Sequence, residues 1–147
     1  MRAIGDVNRL ATDVRNRLFD TINLTSGSTG LNLIVAISYS SRWEITEAAR
    51  KMSVDVKNGV LDPESVTDND FEKYLTTYRI PDPELMIRTS GELRISNFLL
   101  WQMAYTELYF TDKLWPDFGK DDFYSAVIDY QKRDRRFGKT SEQSLEK

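Results

Sequence analysis

The sequence predicts an α/β fold, an open and largely parallel β-sheet flanked by helices. Three observations carry that expectation. Leu10, Val14, Leu18 and Ile22 recur every four positions, the spacing of one helix face. Leu31 to Ile37 is almost continuously apolar, the pattern of a strand buried on both faces of a parallel sheet. Strand-like and helix-like segments then alternate along the chain, as they do in sheets built from strand–helix units.

Taken in order, Arg2-Ala3-Ile4-Gly5-Asp6 reads as a strand end and a turn. Asn8 to Asn23 reads as the first amphipathic helix, and Ser26-Gly27-Ser28-Thr29-Gly30 as a loop. The apolar strand Leu31 to Ile37 follows. Ser38-Tyr39-Ser40-Ser41 leads into a helix whose Ser41 and Glu44 have capping-box spacing, with Ile45, Ala48, Ala49 and Met52 as its apolar face. Val54 to Asp70 is polar and turn-rich. A short helix is expected near Phe71 to Tyr78, closed by Pro81 and Pro83. Leu85 to Ile87 is a short strand, Arg88 to Ser96 a polar loop, Asn97 to Tyr105 a helix and Leu108 to Phe110 another strand. Trp115 to Gly119 is a turn, and Phe123, Val127 and Tyr130 mark a last amphipathic helix. Gly138 to Lys147 is a polar tail.

Composition narrows the chemistry. The chain has 147 residues, the size of one domain, and a net charge of -3, so it lacks the basic excess of a nucleic-acid binder. It contains no cysteine and no histidine, which removes disulfides, thiolate nucleophiles, zinc sites of the Cys/His type and imidazole bases. A metal bound here has to be a hard, oxygen-liking ion such as Mg²⁺. No apolar run approaches the roughly 20 residues of a transmembrane helix. Met1-Arg2 runs straight into Ala3-Ile4-Gly5 without a leader pattern, so the expected compartment is the cytoplasm.

One loop carries a chemical signal. Arg88-Thr89-Ser90-Gly91-Glu92-Leu93-Arg94-Ile95-Ser96 places two arginines, three hydroxyls and a glycine between a strand end and an expected helix start. Ligands of open α/β sheets bind beyond the carboxyl ends of strands. Guanidinium groups bind phosphate bidentately, and the free N–H groups of a helix N-terminus add positive charge. A diphosphate pocket fits these residues. A solvated polar loop with capping serines also fits them, and composition alone favours that second reading.

The longer pattern is more specific. Ile87-Arg88-Thr89-Ser90-Gly91-Glu92 is followed by Arg94-Ile95-Ser96-Asn97-Phe98-Leu99-Leu100-Trp101-Gln102, then Tyr105, Glu107-Leu108-Tyr109-Phe110 and Leu114-Trp115-Pro116. This stretch resembles the signature region of the cis-prenyltransferases of the undecaprenyl diphosphate synthase type. Ile4-Gly5-Asp6, Tyr39 with Arg42-Trp43-Glu44-Ile45, and Arg135-Arg136-Phe137-Gly138 resemble further segments of that family. The resemblance implies the C-terminal portion of a single family domain over residues 1–138, with 139–147 as a tail.

It further implies that Arg88, Arg94 and Ser96 hold isopentenyl diphosphate, that Arg2 lies near the diphosphates and that Leu31 lines the far end of a product tunnel. Arg136 and Gly138 reach toward a partner subunit, and Glu107 belongs to a Mg²⁺ site. Each has a plainer reading beside it. Glu107 is a surface carboxylate before a strand, Arg136 a basic residue at a helix C-terminus, and Leu31 a core residue. The implied reaction adds isopentenyl diphosphate to an allylic diphosphate such as farnesyl diphosphate. Its product is a long-chain polyprenyl diphosphate such as undecaprenyl diphosphate, precursor of the lipid carrier for cell-wall synthesis. The implied enzyme is a Mg²⁺-dependent homodimer, peripheral to the membrane that takes its product.

Two departures stand out. The family's Met-Asp-Gly-Asn-type loop, which carries its catalytic aspartate, has no counterpart in residues 1–147, so the expectation is that an N-terminal part is missing. Ser38, Ser40 and Ser41 replace the family's Asn, Gly and Gly, which matters where a turn needs positive φ. Ser90 stands where a second glycine is common. The alternative reading is a non-catalytic accessory subunit or diphosphate-binding module of a heteromeric cis-prenyltransferase.

Overall fold

The computed structural model describes residues 1–133, which form two compact units. Arg136, Gly138 and the 139–147 tail lie outside the described residues. Both units are α/β with parallel strands, as the sequence predicts.

The first unit comprises residues 1–81 with 97–99. Strand β1 (Arg2–Ile4) pairs in parallel with β2 (Ile34–Ala36), Arg2 opposite Ile34 and Ile4 opposite Ala36. Gly5 ends β1 at φ +100°, where a Cβ would stand 2.2 Å from the Ile37 carbonyl oxygen. Only glycine allows that approach. Helix α1 (Thr12–Leu24) starts later than the expected Asn8, because Val7–Arg9 forms a separate turn capped by the Asp6 carboxylate. Strand β2 is also shorter than Leu31 to Ile37. β1 offers it three partner residues, and Leu31 and Leu33 are exposed rather than buried on both faces.

Helix α2 (Ser41–Lys57) is capped by Ser40, whose hydroxyl accepts from the Trp43 N–H, not by Ser41. Ser41 and Glu44 are instead buried on its inner face beside Ala48, while Ala49 is exposed. The helix also runs into the stretch expected to be turn-rich. Helix α3 (Asp68–Glu72) begins at a reciprocal cap between Thr67 and Asp70 and stops early. The expected helix to Tyr78 is replaced by turns, because the Thr76 N–H donates to the Glu44 carboxylate instead of continuing a helical ladder. Ile4, Ala48 and Leu75 are the buried apolar residues of this unit.

The second unit takes in residues 82–96 and the chain from Leu100. Strand β3 (Leu85–Arg88) pairs in parallel with β4 (Glu107–Phe110), Leu85 opposite Glu107 and Arg88 opposite Phe110. Helix α4 (Lys120–Gln131) follows the Trp115–Asp117 turn and buries Ala126. The Asp122 carboxylate accepts from the Gly119 N–H at its start. The helix expected over Asn97 to Tyr105 does not form; that stretch is a series of turns. Asn97 and Leu99 have φ +60° and +48°, and the Asn97 amide and carbonyl are committed to the start of α2. No helix of the described residues is long and apolar enough to cross a membrane.

Candidate functional site

The loop Arg88–Ser96 leaves the carboxyl end of β3, the end where ligands of parallel sheets bind. Its first half is stapled to the chain beyond β4. Thr111 donates its N–H to the Arg88 carbonyl at 2.9 Å, Gly91 to the Thr111 carbonyl at 2.9 Å and Ser90 to the Lys113 carbonyl at 2.7 Å. Ser90 and Gly91 both take the left-handed region, at φ +71° and +67°. A Cβ on Gly91 would sit 3.1 Å from an Asp112 carboxylate oxygen, so glycine suits the second position on both counts.

Arg88 ends β3 half-buried, outside the ion pairs found among the described residues. A guanidinium fixed at its backbone and lacking a carboxylate partner is well suited to an anion. Arg94 is exposed and paired with Glu92 of the same loop. An exposed pair of this kind is weak and yields readily to a doubly charged ligand. Ser96 is exposed at φ +49°. Because Asn97 opens no helix, the helix N-terminal donors expected here drop out. The cationic character of the loop rests on its arginines.

Glu107 occupies the other end of the same ladder. It pairs with Leu85 while Arg88 pairs with Phe110, which places them about 10 Å apart along the strands. Strand pairing therefore does not gather Glu107 with the loop. Arg133 Nη1 donates to Glu107 Oε2 at 2.8 Å and to the Leu108 carbonyl at 3.0 Å. Its Nε and Nη2 donate to Asp129 Oδ2 at 3.0 and 2.5 Å. Glu107 first, then Asp129, raises the Arg133 pKa above its ordinary value. No group of three acidic side chains gathers among the described residues. Mg²⁺ is commonly held by one or two carboxylates together with phosphate oxygens. An oriented lone carboxylate fits such an ion as one ligand and does not hold it alone.

In the first unit, the loop between β2 and α2 is built around Tyr39. Its hydroxyl donates to Glu44 Oε2 at 2.6 Å, and its ring meets Phe98 edge-on at 5.7 Å. Burial and the Glu44 carboxylate push the Tyr39 pKa up. The Asn97 amide donates to the Ser40 hydroxyl at 2.6 Å, and Asn97 Oδ1 accepts from the Arg42 N–H at 3.1 Å. Of the three serines there, only Ser38 takes a positive φ, +49°. Ser40 is extended and Ser41 helical, so neither needs glycine. Arg2 donates to the Tyr78 carbonyl at 3.3 Å, and Leu31 is 92% exposed, contrary to a core placement. Sequence reasoning missed Asn97 as a brace and Arg133 as the partner of Glu107. The four-residue spacing of Asp129 and Arg133 on α4 was the available signal for the second.

The family model described as "Putative undecaprenyl diphosphate synthase" matches residues 1–138. An isoprenyl transferase of Chlorobaculum tepidum is 52% identical over 143 residues, 97% of this chain and 54% of that protein. An isoprenyl transferase of Porphyromonas gingivalis is 55% identical over 141 residues, 96% of this chain and 56% of that protein. Among solved structures, lavandulyl diphosphate synthase from Lavandula x intermedia, in complex with dimethylallyl diphosphate, superposes with a TM-score of 0.91 at 41% identity, covering 94% of this chain and 59% of that one. The chain thus spans about half the length of the curated relatives it matches.

Proposed function

Since the chain belongs to the undecaprenyl diphosphate synthase family of prenyltransferases, we propose that it supplies the isopentenyl diphosphate-binding part of a cis-prenyl chain-elongating enzyme. The observation that carries this reading is the loop at the carboxyl end of β3. It begins with a guanidinium that has no carboxylate partner, Arg88, and continues to Arg94 and Ser96.

In this reading Arg88 and Arg94 bind and orient the diphosphate of isopentenyl diphosphate, and the Ser96 hydroxyl donates to one of its oxygens. The Arg94 guanidinium exchanges Glu92 for phosphate when the ligand enters. Fixed cations are worth most where negative charge must stay in place as carbon–carbon bonding proceeds. Mg²⁺, when bound, supplies further positive charge against the diphosphates, with Glu107 as one hard oxygen ligand and phosphate oxygens among the others. Arg2 serves the same diphosphate region from β1.

The acceptor is an allylic diphosphate such as farnesyl diphosphate, and the product a polyprenyl diphosphate of the undecaprenyl type. Residues 1–138 act as one family domain, paired as a homodimer in the cytoplasm at the membrane surface, with Arg136 and Gly138 contributing to the neighbouring subunit's site. No Met-Asp-Gly-Asn-type loop occurs in residues 1–147, so the reading assigns the catalytic carboxylate to polypeptide outside them. The same observation supports the second reading, an accessory diphosphate-binding subunit.

A condensation assay with farnesyl diphosphate, radiolabelled isopentenyl diphosphate and Mg²⁺ tests the proposal. The 147-residue chain is expected to bind isopentenyl diphosphate and to make no polyprenyl product. Long-chain product would place the catalytic acid within these residues and overturn that assignment.

A further inference from the structure

The Glu107 carboxylate is held on one oxygen only. Arg133 reaches Oε2 through Nη1, and the same Nη1 donates to the Leu108 carbonyl, so the guanidinium is referenced to the backbone of β4 itself. The rest of the fork is turned to Asp129. Nε and Nη2 both donate to Asp129 Oδ2, one turn back on α4. One cation therefore serves two carboxylates, and the three side chains together carry a net negative charge. A salt bridge confined to Glu107 would cancel the charge that a divalent ion needs. A shared guanidinium fixes the carboxylate and leaves it anionic.

We infer that Arg133 and Asp129 are a positioning pair for Glu107: Arg133 aims the carboxylate, and Asp129 holds back enough of the guanidinium for Glu107 to remain a competent cation ligand. This rests on the proposed function, in which Glu107 lends one oxygen to a Mg²⁺–diphosphate complex. Neither residue touches substrate in this account. Groups that orient a metal-ligating side chain typically alter metal affinity about 10–100-fold when removed. Asp129→Asn keeps the side-chain shape and removes its charge, so the guanidinium turns more fully to Glu107. Arg133→Met removes the aim, and Arg133→Lys keeps the charge but cannot reach Glu107, Asp129 and the Leu108 carbonyl together.

The experiment measures isopentenyl diphosphate binding to the 147-residue chain by calorimetry, without Mg²⁺ and across a Mg²⁺ series, with thermal melts of every variant alongside. In wild type, Mg²⁺ is expected to tighten binding. Asp129→Asn and Arg133→Met are expected to raise the half-effective Mg²⁺ concentration about tenfold while leaving Mg²⁺-free binding unchanged, with Arg133→Lys between them and wild type. A Mg²⁺ midpoint unchanged in Asp129→Asn or Arg133→Met overturns the inference. So does an equal loss with and without the metal, which is the signature of a purely structural role. Wild-type binding that ignores Mg²⁺ overturns this inference and leaves the diphosphate site standing. Absence of binding in wild type overturns both.

Discussion

Tyr39 donates a 2.6 Å hydrogen bond to the buried carboxylate of Glu44. The other oxygen of Glu44 accepts from the Thr76 N–H at 2.9 Å and from the Thr76 hydroxyl. One carboxylate thus ties the loop after β2 to the turn region after α3. It does so without a cation partner among the printed contacts, by hydrogen bonds from neutral donors.

Removing the phenol should therefore be costly. Tyr39→Phe leaves part of a buried carboxylate's hydrogen bonding unmade, at about 1.5–3 kcal/mol for a bond to a charged group. Urea unfolding at neutral pH measures it. A midpoint equal to wild type would mean that the bond contributes nothing.

The same pair sets an alkaline limit. The Tyr39 pKa is raised in the folded chain, first by burial and then by Glu44. A raised pKa means that the folded state holds the proton more tightly than the unfolded one. The stabilisation is complete below the ordinary tyrosine pKa of about 10 and is lost as pH rises beyond it. Thermal midpoints are expected to fall above about pH 10 in wild type and to fall less steeply in Tyr39→Phe. Parallel pH profiles for the two chains would contradict this.

Backbone conformation gives two substitutions of opposite sign. Ser90 lies at φ +71°, so Ser90→Gly relieves left-handed strain of about 1–2 kcal/mol against an entropic cost of about 0.5–1 kcal/mol. The chain should gain roughly 0.5–1 kcal/mol, read as a higher urea midpoint with an unchanged slope. Gly5→Ala should do the reverse, because its Cβ meets the Ile37 carbonyl oxygen at 2.2 Å. A loss above about 3 kcal/mol is expected, large for a point substitution. A near-neutral Gly5→Ala would show that β1 and β2 separate easily.

These cases show what was legible in the sequence. β3 and β4 were read to within a residue or two, because short apolar runs between turn residues leave few alternatives. α2 was found from its apolar spacing, but its cap was displaced by one residue, since Ser40 and Ser41 are chemically equivalent caps and only the fold buries one of them. The helix expected from Asn97 failed for a tertiary reason. Asn97 spends its side chain and carbonyl on Ser40, Ser41 and Arg42, partners more than fifty residues away. Leu31 looked like core and is exposed, because a three-residue partner strand ends the pairing at Ile34. The site was legible as a set of residue types. Arg88, Arg94 and Ser96 do fall in one loop after a strand, whereas the hold of Arg133 on Glu107 depends on where α4 packs against β4.

The arginine loop itself predicts a graded response. Arg94→Ala removes an exposed charge-assisted contact and should weaken isopentenyl diphosphate binding at least about tenfold, with little change in stability because Arg94 pairs only with Glu92. Unchanged affinity would remove Arg94 from the site.

The most direct test is equilibrium binding of isopentenyl diphosphate to the chain, wild type against Arg88→Ala, at low ionic strength. Saturable one-site binding in wild type, weakened about tenfold or more in an Arg88→Ala chain with an unchanged thermal midpoint, is the predicted result. Equal affinity in the two chains, or no binding to wild type, would contradict the assignment of this loop as the diphosphate site.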